Sequence, residues 1–371
     1  MIGGRRTGSY PRLARRRLVA ALAAGVTGVT GVTGVSLGAP AAPGAAAGTA
    51  WRLRLAIHYL PPATNRSQYD VVLVESGRTW FLGGSDVGGH GSPKAEQIRN
   101  GVPRSAPLPS GPHSWITAAS APAPADIWAV TYLGGSVLHW NGAKWATAPR
   151  GGWKTGTRFT GIMAASPTDV WVFGTRGHRF PGAGTWHFTG TRWTRVQGAA
   201  GGIFQASKAS KAGTADAWAI GNAGSTGNAL LHFGGSAWRR VRPPALAGFR
   251  YTHVLALAPA DVWVAGSVAG VPKLGHFDGH GWRALAMPGK TAATGMCRDG
   301  NGGLWVIANS GASPSLVRDR AAGGTWTRAV VSSKAANEVL ACALVRGTQR
   351  AWGAGKAVAP HGSAAAAYRY G

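Results

Sequence analysis

His178, Arg179 and His361 are the side chains of this sequence whose types best suit acid–base work on an anion. An imidazole exchanges a proton near neutral pH, and a guanidinium holds a carboxylate or a phosphate. As a catalytic set they would fit a hydrolase or lyase acting on an anionic glycan. Little around them supports that chemistry. There are 12 Asp and Glu in the whole chain. Asp126, Asp169, Asp216 and Asp261 recur at one turn, where a short carboxylate is expected to cap turn amides. No two of the other acids (Asp70, Glu75, Asp86, Glu96, Asp278, Asp299, Asp319 and Glu338) are spaced as an acid/base pair. A G-x-S-x-G elbow, an H-E-x-x-H helix, a P-loop, CxxC and Cys/His zinc spacing are all missing. The run Asp299-Gly300-Asn301-Gly302-Gly303 lacks the further acids of an EF-type calcium loop. Neither a metal nor a cofactor is expected, and a non-enzymatic binding role is favoured over catalysis.

The stronger signal is cationic. Lys and Arg number 39 and the formal net charge is +27. Trp153, Lys154, Arg158, Arg176, Arg179, Arg250, Lys273 and Lys356 form the candidate ligand set. Its expected partner is an anionic polymer, an acidic glycan or wall polymer. Nucleic acid would bind only non-specifically, by charge, because no sequence-reading motif is present.

Whether these residues meet depends on the elements that carry them. Trp80, Trp128, Trp171, Trp218, Trp263, Trp305 and Trp352 recur at gaps of 48, 43, 47, 45, 42 and 47 residues. Such a period marks a repeat whose units cannot bury a core alone. In the third unit Phe159–Ala165 reads as a strand and Ser166-Pro167-Thr168-Asp169 as a turn. Val170-Trp171-Val172-Phe173-Gly174 reads as the second strand and Thr185-Trp186-His187-Phe188 as the third. Thr189-Gly190 reads as a two-residue hairpin turn and Arg192–Val196 as the fourth strand. The tryptophan of that fourth strand recurs as Trp145, Trp193, Trp238, Trp282 and Trp326. His139, His187, His232 and His276 recur in the third strand, which favours a structural hydrogen bond.

Four short antiparallel strands make a propeller blade, so the expected fold is all-β, a seven-bladed β-propeller. The last unit stops after its third strand, while Trp51-Arg52-Leu53 matches a fourth strand; the N-terminal strand is therefore expected to close the ring. The chain runs alternately down and up within a blade. Links between blades and loops between second and third strands thus share one face, and the candidate cations fall there. Trp153 fits no repeat slot and lies in such a link.

The pattern Ser/Ala-Pro-x-Asp-Val-Trp-x-x-Gly followed by Leu-His-Trp/Phe-x-Gly-x-x-Trp resembles propeller repeats of exported bacterial proteins. These are distant relatives of kelch and galactose-oxidase-type propellers. Asp299–Trp305 is also similar to the repeats of two-component-sensor propellers and of the streptogramin-lyase group. The resemblance covers residues 48–371 and implies the fold. The copper ligands of galactose-oxidase chemistry cannot be carried onto this chain.

Residues 1–47 read as a signal peptide and small-residue linker: an arginine-rich start, an apolar stretch from Leu18 to Leu37, then Ala39-Pro40-Ala41. Removing them takes away six arginines and no acid, lowering the formal charge from +27 to +21. The expected product is a secreted monomer with no stable membrane span; a membrane-anchored protein with an external domain is the alternative. An oxidising compartment would permit Cys297 and Cys342, one period apart, to form a disulfide; two buried thiols are the other outcome.

Overall fold

The computed structural model describes residues 52–57, 66–75, 78–87, 90–99, 102–112, 114–154, 156–174, 184–196, 204–213, 216–223, 228–287, 290–299, 303–309, 316–320, 326–330, 337–345, 348, 350–359 and 362–370. The expected leader, and Arg176, His178, Arg179 and His361, lie outside them. Among the described residues no helix is long and apolar enough to cross a membrane.

Strands follow one another almost without interruption. The first five are β1 (Arg52–Ile57), β2 (Arg66–Glu75), β3 (Arg78–Val87), β4 (His90–Arg99) and β5 (Val102–Ser105). Next come β6 (Ile116–Ala123), β7 (Asp126–Thr131), β8 (Val137–Trp140) and β9 (Trp145–Thr147), then β10 (Phe159–Ser166), β11 (Asp169–Gly174), β12 (Gly184–Phe188) and β13 (Trp193–Val196). They are followed by β14 (Phe204–Gly213), β15 (Asp216–Ala223), β16 (Asn228–Phe233) and β17 (Trp238–Val241), and by β18 (Arg250–Ala258), β19 (Asp261–Val268), β20 (Val271–Phe277) and β21 (Trp282–Ala286). The last are β22 (Ala293–Arg298), β23 (Leu304–Ala308), β24 (Leu316–Arg320), β25 (Trp326–Val330), β26 (Asn337–Leu344), β27 (Ala351–Ala359) and β28 (Gly362–Tyr370).

Strands β6 to β25 form five four-stranded antiparallel sheets in simple sequence order, each a propeller blade. The remaining strands make one eight-stranded sheet, β26-β27-β28-β2-β3-β4-β5, with β1 also on β28. Seven separate sheets were expected; the described strands form six, and in the largest β2 touches β28 in parallel through the single pair Arg66–Ser363. Serine hydroxyls tighten that join: Ser67 Oγ accepts from the amide of Ala365 at 2.9 Å, and Ser363 Oγ donates to Ser67 O at 3.3 Å. Strand β1 runs antiparallel to β28, with Leu53 opposite Tyr368 and Ala56 opposite Ala366.

The connection between third and fourth strands is four residues long rather than the two expected, since Trp140 pairs with Trp145 and Phe188 with Trp193. Its second residue, Gly142, Gly190, Gly235 or Gly279, has φ near +90° (92, 91, 87 and 89°), which explains the recurrent glycine. Asn141 and Asp278 stabilise the loop by accepting two backbone N–H groups each, and those bonds hold the Asp278 carboxyl below its ordinary range.

The core lies between sheets. The second-strand tryptophan of one sheet meets the fourth-strand tryptophan of the next: Trp80–Trp145 at 5.7 Å, Trp128–Trp193 at 6.4 Å, Trp171–Trp238 at 5.9 Å and Trp218–Trp282 at 5.5 Å. These near-perpendicular pairs contribute about 1 kcal/mol each beyond the burial itself. Cys297 and Cys342 are joined, tying β22 to β26 with Cα atoms 5.7 Å apart.

Candidate functional site

The first strand of every sheet carries a β-bulge near its start, as does each of β2 and β26 in the large sheet. The register skips Asp70, Thr117, Thr160, Ser207, Thr252, Thr294 and Leu340. A bulge leaves a carbonyl of the partner strand short of its ladder bond. At Thr160, Thr252 and Thr294 the hydroxyl supplies the donor, Thr252 Oγ1 to Ala265 O at 3.1 Å and Thr294 Oγ1 to Ile307 O at 3.4 Å and to Val339 O of the next sheet at 3.1 Å, whereas Thr117 donates to Phe159 O of the next sheet. The bulge also brings the first strand so close to the second that a Cβ at Gly83 or Gly266 would strike the carbonyl of Gln68 or Arg250. That contact explains the glycine three residues after the repeat tryptophan.

The bulged stretches from six of these strands surround a cavity of about 240 Å³. Its titratable groups are Asp70 and His253; the rest are hydroxyl, aliphatic and main-chain groups, with Cys342 on the wall. Asp70 Oδ1 accepts from Gln68 Nε2 at 2.6 Å, and His253 Nδ1 meets Thr252 Oγ1 at 3.2 Å. The throat is polar, and no Lys or Arg is among its described lining residues.

The candidate cations stand outside this throat, at the same ends of the strands. Arg250 opens β18 opposite Ser267 and is exposed; Lys273 lies near the start of β20 opposite Gly266 and is half-buried. Lys154 is exposed in the link before β10. Arg158 stacks its guanidinium 4.2 Å from the centre of the Tyr132 ring. Lys356 forms an ion pair with Glu338 at 3.1 Å, which offsets its charge. Trp153 is a correction to the expected ligand set. It is 5 % exposed, packs on Phe159, Trp186 and Trp193, and donates its indole N–H to Gly135 O at 2.8 Å. An out-of-register tryptophan here fills a gap between blades.

The recurrent histidines belong to the opposite ends of the strands, and there the Asp residues do more than cap turns. His139 Nε2 donates to Asp126 at 2.8 Å, His187 to Asp169 at 2.7 Å, His232 to Asp216 at 3.2 Å and His276 to Asp261 at 2.9 Å. Each imidazole stacks on the tryptophan across the strand pair, at 3.9 to 4.3 Å between ring centres. In two blades that tryptophan, Trp171 or Trp263, donates to the same carboxylate at 2.9 or 2.8 Å. In those two blades carboxylate, imidazole and indole engage one another, while at Asp126 and Asp216 the pairing is between carboxylate and imidazole. The Asp–His pairing was missed in the sequence because the partners stand 13 to 18 residues apart and meet only across the sheet.

A further titratable group sits in the large sheet. Glu96 is buried, and burial pushes its carboxyl above the ordinary carboxylate range. Tyr69, fully buried beside it, is pushed strongly up for the same reason, while burial lowers the Lys94 ammonium. Among the described residues no group of three His, Cys, Asp or Glu is placed to hold a metal ion.

No family model matches the sequence, and no curated protein matches it. Solved structures do. YCF48 bound to D1 peptide is 14 % identical with a TM-score of 0.58, over 85 % of this chain and 98 % of that one. Virginiamycin B lyase from Staphylococcus aureus with quinupristin is 13 % identical with a TM-score of 0.58, over 83 % and 97 %. The extracellular domain of the hybrid two-component system BT4673 from B. thetaiotaomicron is 12 % identical with a TM-score of 0.60, over 87 % of this chain and 40 % of that one. At such identities the likeness speaks for architecture alone: this chain has the fold of a β-propeller built from four-stranded antiparallel blades.

Proposed function

We propose that the protein is an exported, seven-bladed propeller that binds an anionic polymer, an acidic glycan or wall polymer, on the face where the inner strands begin. The eight-stranded sheet is read as two blades, β2–β5 and β26–β28, with β1 as the outer strand that closes the ring. The carrying observation is the segregation of charge at this face. Exposed Lys154 and Arg250 flank a throat whose described lining holds no Lys or Arg. A rim of fixed positive charge on a rigid ring attracts an extended polyanion and gains from released counterions. That YCF48, a similarly folded propeller, is bound to a peptide, and that another such propeller is an extracellular domain, supports a binding role outside the cell.

The test is binding of residues 48–371 to immobilised polygalacturonate across a salt series. Affinity should fall at least about tenfold between roughly 50 and 200 mM salt. It should fall further in the triple variant Lys154→Glu, Arg250→Glu, Lys273→Glu, with an unchanged melting temperature. Affinity indifferent to salt and to charge reversal refutes the reading. Equal affinity for DNA of any sequence would reduce it to unspecific polyanion adhesion.

A further inference from the structure

The junction between the sheets β14–β17 and β18–β21 differs from the ones before it. In the preceding blades the fourth-strand tryptophans are sealed, Trp145 at 5 %, Trp193 at 8 % and Trp238 at 3 % exposure. Their third-strand companions are sealed too, Trp140 and Phe188 at 7 % and Phe233 at 8 %. At this junction the equivalent pair, Phe277 and Trp282, is only half-buried. The two rings, 5.5 Å apart and tilted by 32°, open onto a cleft of about 500 Å³. Pro243 and Pro244 wall one side, and Asp216, His232 and His280 bring polar groups to it.

We propose that this cleft binds a neutral sugar ring, independently of the basic face. A pyranose has an apolar C–H face, which stacks on an aromatic side chain, and a girdle of hydroxyls that donate hydrogen bonds. Trp282 supplies the platform. The Asp216 carboxylate, oriented by the 3.2 Å bond to His232, keeps acceptor capacity for a hydroxyl. Charge decides against an anionic ligand. On a chain of formal charge +27, this cleft has no Lys or Arg among its described lining residues, and its one formal charge is a carboxylate. A proline-rich peptide fits less well, because its free carbonyls need donors and the Trp218 indole nitrogen lies out of reach below the surface. The cleft volume suits about one or two sugar rings.

The experiment titrates the full mature chain with the neutral trisaccharides cellotriose, mannotriose and triacetylchitotriose, by calorimetry and saturation-transfer NMR. At least one should bind saturably below about 10 mM, with an affinity unchanged by added salt. Trp282→Leu and Asp216→Asn should each weaken it by about tenfold or more. His280→Ala, on an exposed turn, serves as a second variant that leaves the aromatic packing intact and should weaken binding more modestly. Polygalacturonate binding should be untouched by all three, which separates failure here from failure of the basic-face reading. Saturation by none of the sugars, binding that survives Trp282→Leu and Asp216→Asn, or displacement of the sugar by a polyproline peptide overturns the assignment.

Discussion

Opening the Cys297–Cys342 bond should cost the protein a calculable amount of stability. The bond closes a loop with a sequence separation of 45 and joins the inner strands β22 and β26. In the chain-entropy account, releasing such a loop in the unfolded ensemble removes about 4 kcal/mol of stabilisation. With the usual unfolding entropy per residue, a propeller of this length should melt about 6 °C lower. Packing sets a secondary term. Cys297 is buried against Trp305, Ile307 and Val339, so removing its sulfur adds a small cavity cost. The assay is thermal and urea unfolding of three samples: the oxidised chain, the same chain under reductant, and Cys297→Ala with Cys342→Ala. Thiol titration of the unfolded, unreduced protein should find none. Two titratable thiols, or a reduced sample melting with the oxidised one, would refute the bridge. A loss confined to the alanine variant would show that packing, and not the covalent link, carries the effect.

Two other outcomes are expected. Starting residues 48–371 instead at Ala56 removes most of β1 from β28 and should lower the melting temperature sharply; a truncated chain melting like the longer one refutes the closure by β1. Glu96→Gln should raise stability at neutral pH and flatten its pH dependence. The Glu96 carboxyl is pushed up from 4.5, so above that pH the folded state binds more protons than the unfolded one. Stability is therefore complete below 4.5 and is lost as pH rises through the elevated value. Urea midpoints of the two proteins that run parallel from acid to neutral pH would refute this.

The architecture was legible because its carriers are periodic. A tryptophan packed between blades must recur once per blade, and a glycine at the connecting loop must recur wherever φ is positive. Thr117, Thr160, Thr252 and Thr294 were also periodic, and their shared register was the available signal for the bulges that shape the throat. Trp153 was misread because it breaks the period: sequence spacing alone cannot separate a ring that plugs an irregular gap from one that faces solvent. The half-open pair Phe277 and Trp282 was equally hidden, since it has the same residue types as the sealed pairs. What differs is how far the surroundings cover the pair, a tertiary property. The outer rim is the least legible part, because the cations there depend on loops of unequal length rather than on the repeat.

The pairing of β1 with β28 has a consequence for the order of events after synthesis. The two partners lie far apart in the sequence, so β1 lacks this neighbour until β28 has been made. Each interior blade can condense from contiguous residues as it emerges. The terminal sheet cannot, and its completion is a single late encounter across nearly the whole chain length. A nascent molecule is therefore a string of finished blades with β1 still unpaired on that side, and its most hazardous interval is the wait before β1 and β28 meet.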